Sequence, residues 1–174
     1  MTGRRLYGLL ARGCVVAVAP MLLGGTGLTN NLEARVLAAH NRERSAMGIV
    51  PLAWDDRLAS SAQAWADYLG NTGKFEHAGD DPRDVQGENL WAGTKGHYSA
   101  EEMVDGWIVE KRNYRPGPVP GNSLTGDYGD VGHYTQVMWR KSDAVGCAIA
   151  RSQVEDVLVC RYSQAGNVIG ERPF

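Results

Sequence analysis

Apolar positions along the chain fall into helical and alternating stretches. Between residues 32 and 47, Leu32, Val36, His40, Glu43 and Met47 share one stripe at helical spacing, with Asn31 placed to cap its start and Gly48 to end it. Pro51, Leu52, Ala53 and Trp54 form an extended link. Asp55 then caps a second expected helix running to about Leu69, with Leu58, Ala62, Trp65, Ala66 and Leu69 on its apolar face and Gly70 and Gly73 closing it. A third helix starts at the capping box Ser99-Ala100-Glu101-Glu102 and carries Met103, Trp107 and Glu110 on one stripe. Lys111 and Arg112 suit its C-terminal dipole.

Residues 145–150 and 157–162 are β-rich and read as a hairpin. Setting Cys147 opposite Cys160 also pairs Val145 with Tyr162 and Ile149 with Leu158, which collects the larger apolar side chains on one face. Gly146, Ala148, Ala150, Val157 and Val159 fall on the other. Both faces are apolar, so layers should cover both sides of the sheet. Residues 114–132 form a long connection with Pro116, Pro118, Pro120 and five glycines, and loops of that length inside a domain are usually functional or mobile. It leads into Gly132-His133-Tyr134-Thr135-Gln136-Val137-Met138-Trp139-Arg140, the densest run of polar chemistry and aromatic bulk in the sequence, where periodicity alone suggests a strand.

A length of 174 residues favours one domain with a real core. The first 27 residues change that picture. Arg4, Arg5 and Arg12 precede an apolar run at 14–23, too short to span a bilayer, and Gly24, Gly25, Thr26 and Gly27 suit a cleavage site. Residues 1–27 are therefore expected to be a signal peptide and 28–174 a single domain, secreted or, in a bacterium, periplasmic or in the cell wall; the alternative is an uncleaved membrane-anchoring helix. The segment holds three basic residues and no acidic ones, so cleavage leaves 15 basic against 20 acidic residues, a formal charge of −5. That balance argues against nucleic acid or an anionic membrane as partner. Cleavage also leaves two cysteines, Cys147 and Cys160, an even pair that favours a disulfide in an exported chain. Two buried free thiols are the alternative, and a zinc site is disfavoured because no further cysteine exists.

Candidate chemistry rests on four side chains from separate stretches. His133 is either part of a lined cleft or in a surface turn. His77, in the irregular polar stretch after the second helix, reads by itself as an exposed loop histidine. Glu88, between Gly87 and a short apolar run, either enters a cleft at a strand start or is solvated. Glu110, at the border of an apolar face, either snorkels to water or reaches a partner in a pocket. His40 reads as a core histidine bonded to backbone in preference to a ligand or base. Trp54 and Trp65 read as core in preference to ligand platforms.

Taken in order, Ala39-His40-Asn41-Arg42, Pro51-Leu52-Ala53-Trp54-Asp55, Leu58-Ala59 with Ala62-Gln63-Ala64-Trp65-Ala66, Gly87-Glu88-Asn89-Leu90, Trp107 with Glu110, residues 132–139, Val145-Gly146-Cys147, and Cys160-Arg161-Tyr162 with Gly166-Asn167 resemble the CAP superfamily of cysteine-rich secretory, antigen 5 and pathogenesis-related 1 proteins. The closing Gly170-Glu171-Arg172-Pro173-Phe174 is most similar to the pathogenesis-related 1 branch. The resemblance implies an α+β fold, a three-layer α-β-α sandwich with a central antiparallel sheet, and a short helix beginning at Tyr134. It also implies a cleft tetrad of His77, Glu88, Glu110 and His133, with His77 and His133 binding a divalent ion, Zn2+ before others, weakly and without being required for folding. Family members also bind sterols or fatty acids, and a polysaccharide fragment is a further candidate ligand. Two departures bear on this. The chain retains cysteines for one disulfide where plant-type members usually carry three. The loop before His133 is poor in aromatics, which weakens the sterol expectation. The function expected is a monomeric, secreted, defence- or effector-like binding protein. One alternative is a metal-dependent hydrolase using Glu88 and Glu110, although neither an HExxH helix nor a GxSxG elbow is present. The other is an extracellular interaction protein with a vestigial cleft.

Overall fold

The computed structural model describes residues 28–79 and 83–174. The expected signal peptide at 1–27 and residues 80–82 of the polar turn lie outside the described residues.

Helix α1 spans Leu32–Ala46, α2 Asp56–Thr72, α3 Ala100–Ile108 with a 3-10 extension over Val109–Asn113, and α4 Gly132–Val137. The strands are β1 Ala53–Trp54, β2 Gln86–Thr94, β3 Ala144–Arg151 and β4 Glu155–Ser163, in the order β1-β3-β4-β2. β2, β4 and β3 are antiparallel, and the two-residue β1, expected only as an extended link, adds in parallel beside β3.

The β3–β4 register is the one expected: Val145 faces Tyr162, Cys147 faces Cys160 and Ile149 faces Leu158. A disulfide joins Cys147 to Cys160. The face bearing these residues packs with Val36, Ala39, Met103, Val104, Trp107 and Val137 from α1, α3 and α4. Ala148, Ala150, Val157, Val159 and Leu90 of the other face pack with Ala62, Ala66 and Leu69 of α2. Helices thus cover both faces, as two apolar faces require. Gly146 permits the α2 contact, since a Cβ there would lie 2.1 Å from Ala59 N.

Helix ends follow side-chain chemistry where that chemistry is local. Asp55 accepts from the N–H groups of Arg57 and Leu58, and the Ser99–Glu102 capping box is complete in both directions. α2 runs past Gly70 and closes at Gly73, whose φ of 67° is the left-handed conformation of a helix stop. Two expectations for α1 fail. Asn31 is left-handed at φ 53° and makes no side-chain cap. Met47 is 53% exposed, and the last buried position of the stripe is Arg44 instead. Trp54 and Trp65 are partly buried and pack against the two core clusters, as expected of core tryptophans. Arg44 is tolerated because its guanidinium donates to four backbone carbonyls, those of Val50, Val137, Trp139 and Ser142. It thereby ties α1 to the end of α4.

Candidate functional site

Two histidines are each held by one glutamate. His77 Nδ1 lies 2.6 Å from Glu88 Oε1, and the same oxygen accepts the Ala78 N–H at 3.1 Å. His133 Nδ1 lies 2.6 Å from Glu110 Oε1, while Glu110 Oε2 accepts the N–H groups of His133 and Tyr134 at 3.0 and 3.1 Å. A carboxylate only accepts, so each Nδ1 carries the proton and each Nε2 is the nitrogen left for a ligand. The hydrogen bond from Glu88 raises the His77 pKa above its ordinary value, with burial and the nearby Arg161 charge opposing.

Local structure explains each position. The turn after α2 folds back along the helix: Trp65 Nε1–H donates to the Glu76 carbonyl at 3.1 Å and Tyr68 Oη–H donates to Glu76 Oε1 at 3.2 Å. The stacked Trp65 and Tyr68 rings, 4.7 Å apart, thus clamp the segment that carries His77. Glu88 is the third residue of β2. It sits directly across from Arg161 of β4, and Arg161 Nη2 lies 3.0 Å from Glu88 Oε2. The pair is an ion pair without aligned hydrogen bonds, since Glu88 Oε2 and Arg161 Nε find no hydrogen-bond partner. Glu110 stands on the 3-10 extension of α3. Because Val131, at the start of α4, has no side chain able to cap, the Glu110 carboxylate caps α4 from outside. The His133 ring lies nearly parallel to Trp107, 16° between planes and 6.3 Å between centroids.

β2 supports the two pairs from opposite faces. Successive residues point to opposite faces: Glu88 lies on the α2 side with Leu90, and Asn89 on the other. Asn89 Nδ2–H donates to the His133 carbonyl at 3.1 Å and to Tyr162 Oη at 3.3 Å. Tyr162 Oη–H in turn donates to His40 Nε2 at 2.8 Å, and His40 Nδ1–H donates to the Val36 carbonyl at 2.8 Å. Complete burial lowers the His40 pKa to about 4 and keeps it neutral, the core role expected of it. A polar thread therefore runs from the core to the backbone of His133.

A cavity of ≈700 Å³ opens beside the first pair, lined by His77, Glu88, Arg161, Asp84, Gln136 and Asn167 among others. His133 and Glu110 are not part of its lining. α4 bridges the two regions, carrying His133 near its start and Gln136 into the cavity wall. The Gln136 amide fills the space over Gly87, where a Cβ would lie 2.3 Å from Oε1, and Oε1 accepts the Gly166 N–H at 2.9 Å. Among the described residues, no three His, Cys, Asp or Glu side chains gather closely enough to hold a metal ion. Each of the two imidazoles has a carboxylate behind it. Arg161, Asn89 and Tyr68 carry no flag in the sequence taken by itself. Arg161 and Asn89 become visible only once the register of β2 on β4 is known.

The long loop between α3 and α4 is pinned to the rest of the protein. Val119 exchanges backbone hydrogen bonds with Gly170 and Glu171, and Leu124 N–H donates to the Asn113 carbonyl. No helix among the described residues is long and apolar enough to cross a membrane.

A family model for the cysteine-rich secretory protein family, CAP, matches residues 37–162. The chain is 35% identical over 162 residues to a pathogenesis-related protein of PR-1 type from Sambucus nigra, covering 92% of each chain. It is 37% identical over 139 residues to pathogenesis-related protein 1 of Arabidopsis thaliana, covering 79% of this chain and 80% of that one. Among solved structures, NaASP2 with Zn2+ superposes with a TM-score of 0.72 at 22% identity, covering 87% of this chain and 88% of that one. MpPR-1i superposes with a TM-score of 0.55 at 22% identity, covering 78% and 89%. The two structural likenesses concern the fold.

Proposed function

The chain belongs to the CAP family of cysteine-rich secretory proteins, with relatives named for pathogenesis-related defence, and from that premise we propose that it is an exported binding protein whose paired histidines hold a divalent ion. The ion favoured is Zn2+, for which imidazole nitrogen is a suitable donor, and the residues that would hold it are His77 and His133 through Nε2. One observation carries the reading: each Nδ1 is 2.6 Å from a glutamate oxygen, the arrangement that orients a metal-binding imidazole and raises its basicity. Both glutamates have their oxygens committed to these and neighbouring groups, so they act behind the histidines and not as ligands. A bound ion there would supply Lewis acidity toward a small ligand while leaving positions for it. With two protein nitrogens the affinity is micromolar or looser, and folding does not depend on the ion. A sterol, a fatty acid or a polysaccharide fragment is the class of organic ligand that accompanies this reading. The solution of a protein of the same fold with Zn2+ supports it.

The test is calorimetric titration of tag-free protein with Zn2+ at neutral pH. Wild type is expected to bind, and a His77→Ala, His133→Ala double variant to lose most of that binding. Equal binding by both removes these histidines as ligands.

A further inference from the structure

Arg161 touches one half of the site and not the other. It faces Glu88 directly across β2 and β4, and both side chains are largely buried, 12% and 8% exposed. Glu88 Oε1 is shared between His77 Nδ1–H and Ala78 N–H, and Oε2 is held by the guanidinium. Among the described residues the Glu110 pair has no such cation: backbone N–H groups take its second oxygen. A fixed positive charge therefore stands behind Glu88, within the wall of the cavity that His77 also lines.

We propose that Arg161 limits the affinity of the cleft for divalent ions, an inference that rests on the ion-site reading above. It does so through its charge, which opposes a dication near His77 and offsets the Glu88 carboxylate behind that ring, in a partly buried setting where water screens poorly.

The consequence runs against the usual effect of a wall substitution, which is to weaken binding. Arg161→Met keeps the unbranched stem and removes the charge, and it binds Zn2+ about tenfold tighter than wild type. Arg161→Lys keeps the charge and stays near wild type. Arg161→Met combined with Glu88→Gln loses most of the gain, because the gain comes from the unbalanced Glu88 charge behind His77. The experiment is calorimetry with Zn2+ on these tag-free proteins, joined to visible absorption with Co2+, whose bands keep their form in Arg161→Met because the ligand set is unchanged. If Arg161→Met does not fold, Arg161→Gln is read in its place with the same expectation. Binding by the folded neutral variant that equals or falls below wild type overturns the inference while the ion site stands. Wild-type binding no better than that of the His77→Ala, His133→Ala variant overturns the ion site and this inference together.

Discussion

The two histidine–glutamate pairs share a 2.6 Å contact and little else. In the first, the imidazole is 65% exposed on a turn, and the carboxylate is 8% exposed and balanced by a buried guanidinium. In the second, the imidazole is 35% exposed against Trp107, and its carboxylate is balanced by backbone N–H groups at the start of α4. One carboxylate is stabilised by a formal charge, the other by a helix terminus. The same pairing is thus reached through two kinds of electrostatics, and these fail in different ways when disturbed.

The largest expected effect is at Glu88. Glu88→Ala leaves Arg161 buried with no carboxylate, and removing one partner of a buried pair costs about 3 kcal/mol. Replacing both members with apolar residues, Glu88→Ala with Arg161→Met, should recover much of that loss. Urea denaturation of the three proteins measures it. A double variant no more stable than Glu88→Ala would show that the stability of the first pair does not depend on charge balance, and the contrast with Glu110 would lapse.

Glu110→Ala is the matching experiment on the other pair, with a smaller effect. It strands two N–H groups at the start of a short helix and removes the His133 acceptor, a loss of about 1–2 kcal/mol of the kind measured for helix caps. No buried cation is left behind, so no companion substitution should rescue it. Faster amide hydrogen exchange confined to α4 would identify the lost cap. Exchange unchanged in α4, with stability falling as far as in Glu88→Ala, would contradict the helix-terminus account.

What sequence reading reached, and where it stopped, follows the reach of each signal. The capping box at Ser99, the cap at Asp55 and the hairpin register through Cys147 and Cys160 are legible because both halves of each interaction lie within a few residues or one turn of chain. The four carbonyl contacts of Arg44 are not, since its partners lie 93 to 98 residues away except for Val50. Asn31 has the right chemistry for a cap but adopts a left-handed backbone, a choice that residue type alone does not decide. The pairing of His77 with Glu88 and of His133 with Glu110 follows no periodicity, and family resemblance supplied only the set of four. Arg161 illustrates the limit best. It stands beside a cysteine whose partner is predictable, yet its own role depends on β2 adding to the far side of β4, 73 residues earlier in the chain for the facing Glu88.

The smallest expected effect is in the pH dependence of the metal-free protein, and it separates His77 from the buried His40. The hydrogen bond to Glu88 raises the His77 pKa, so its stabilising contribution is fully present below the unfolded value near 6.5 and is lost as pH rises through the folded one. His40 has the opposite sign. Its folded pKa of about 4 means that the unfolded chain takes up a proton first, so stability falls as pH drops from about 6.5 toward 4. The two windows lie on either side of pH 6.5 and can be read independently. The His77 contribution is the weaker one because its ring is 65% exposed and solvent screens the pair. An NMR titration of the ring protons should place the His77 midpoint above 6.5, and Glu88→Gln should bring it down by removing the charged acceptor while leaving His40 neutral across the range in which His77 titrates. A His77 midpoint at or below 6.5 in wild type would mean that Arg161 and burial outweigh Glu88, and that the exposed pair is held by geometry alone.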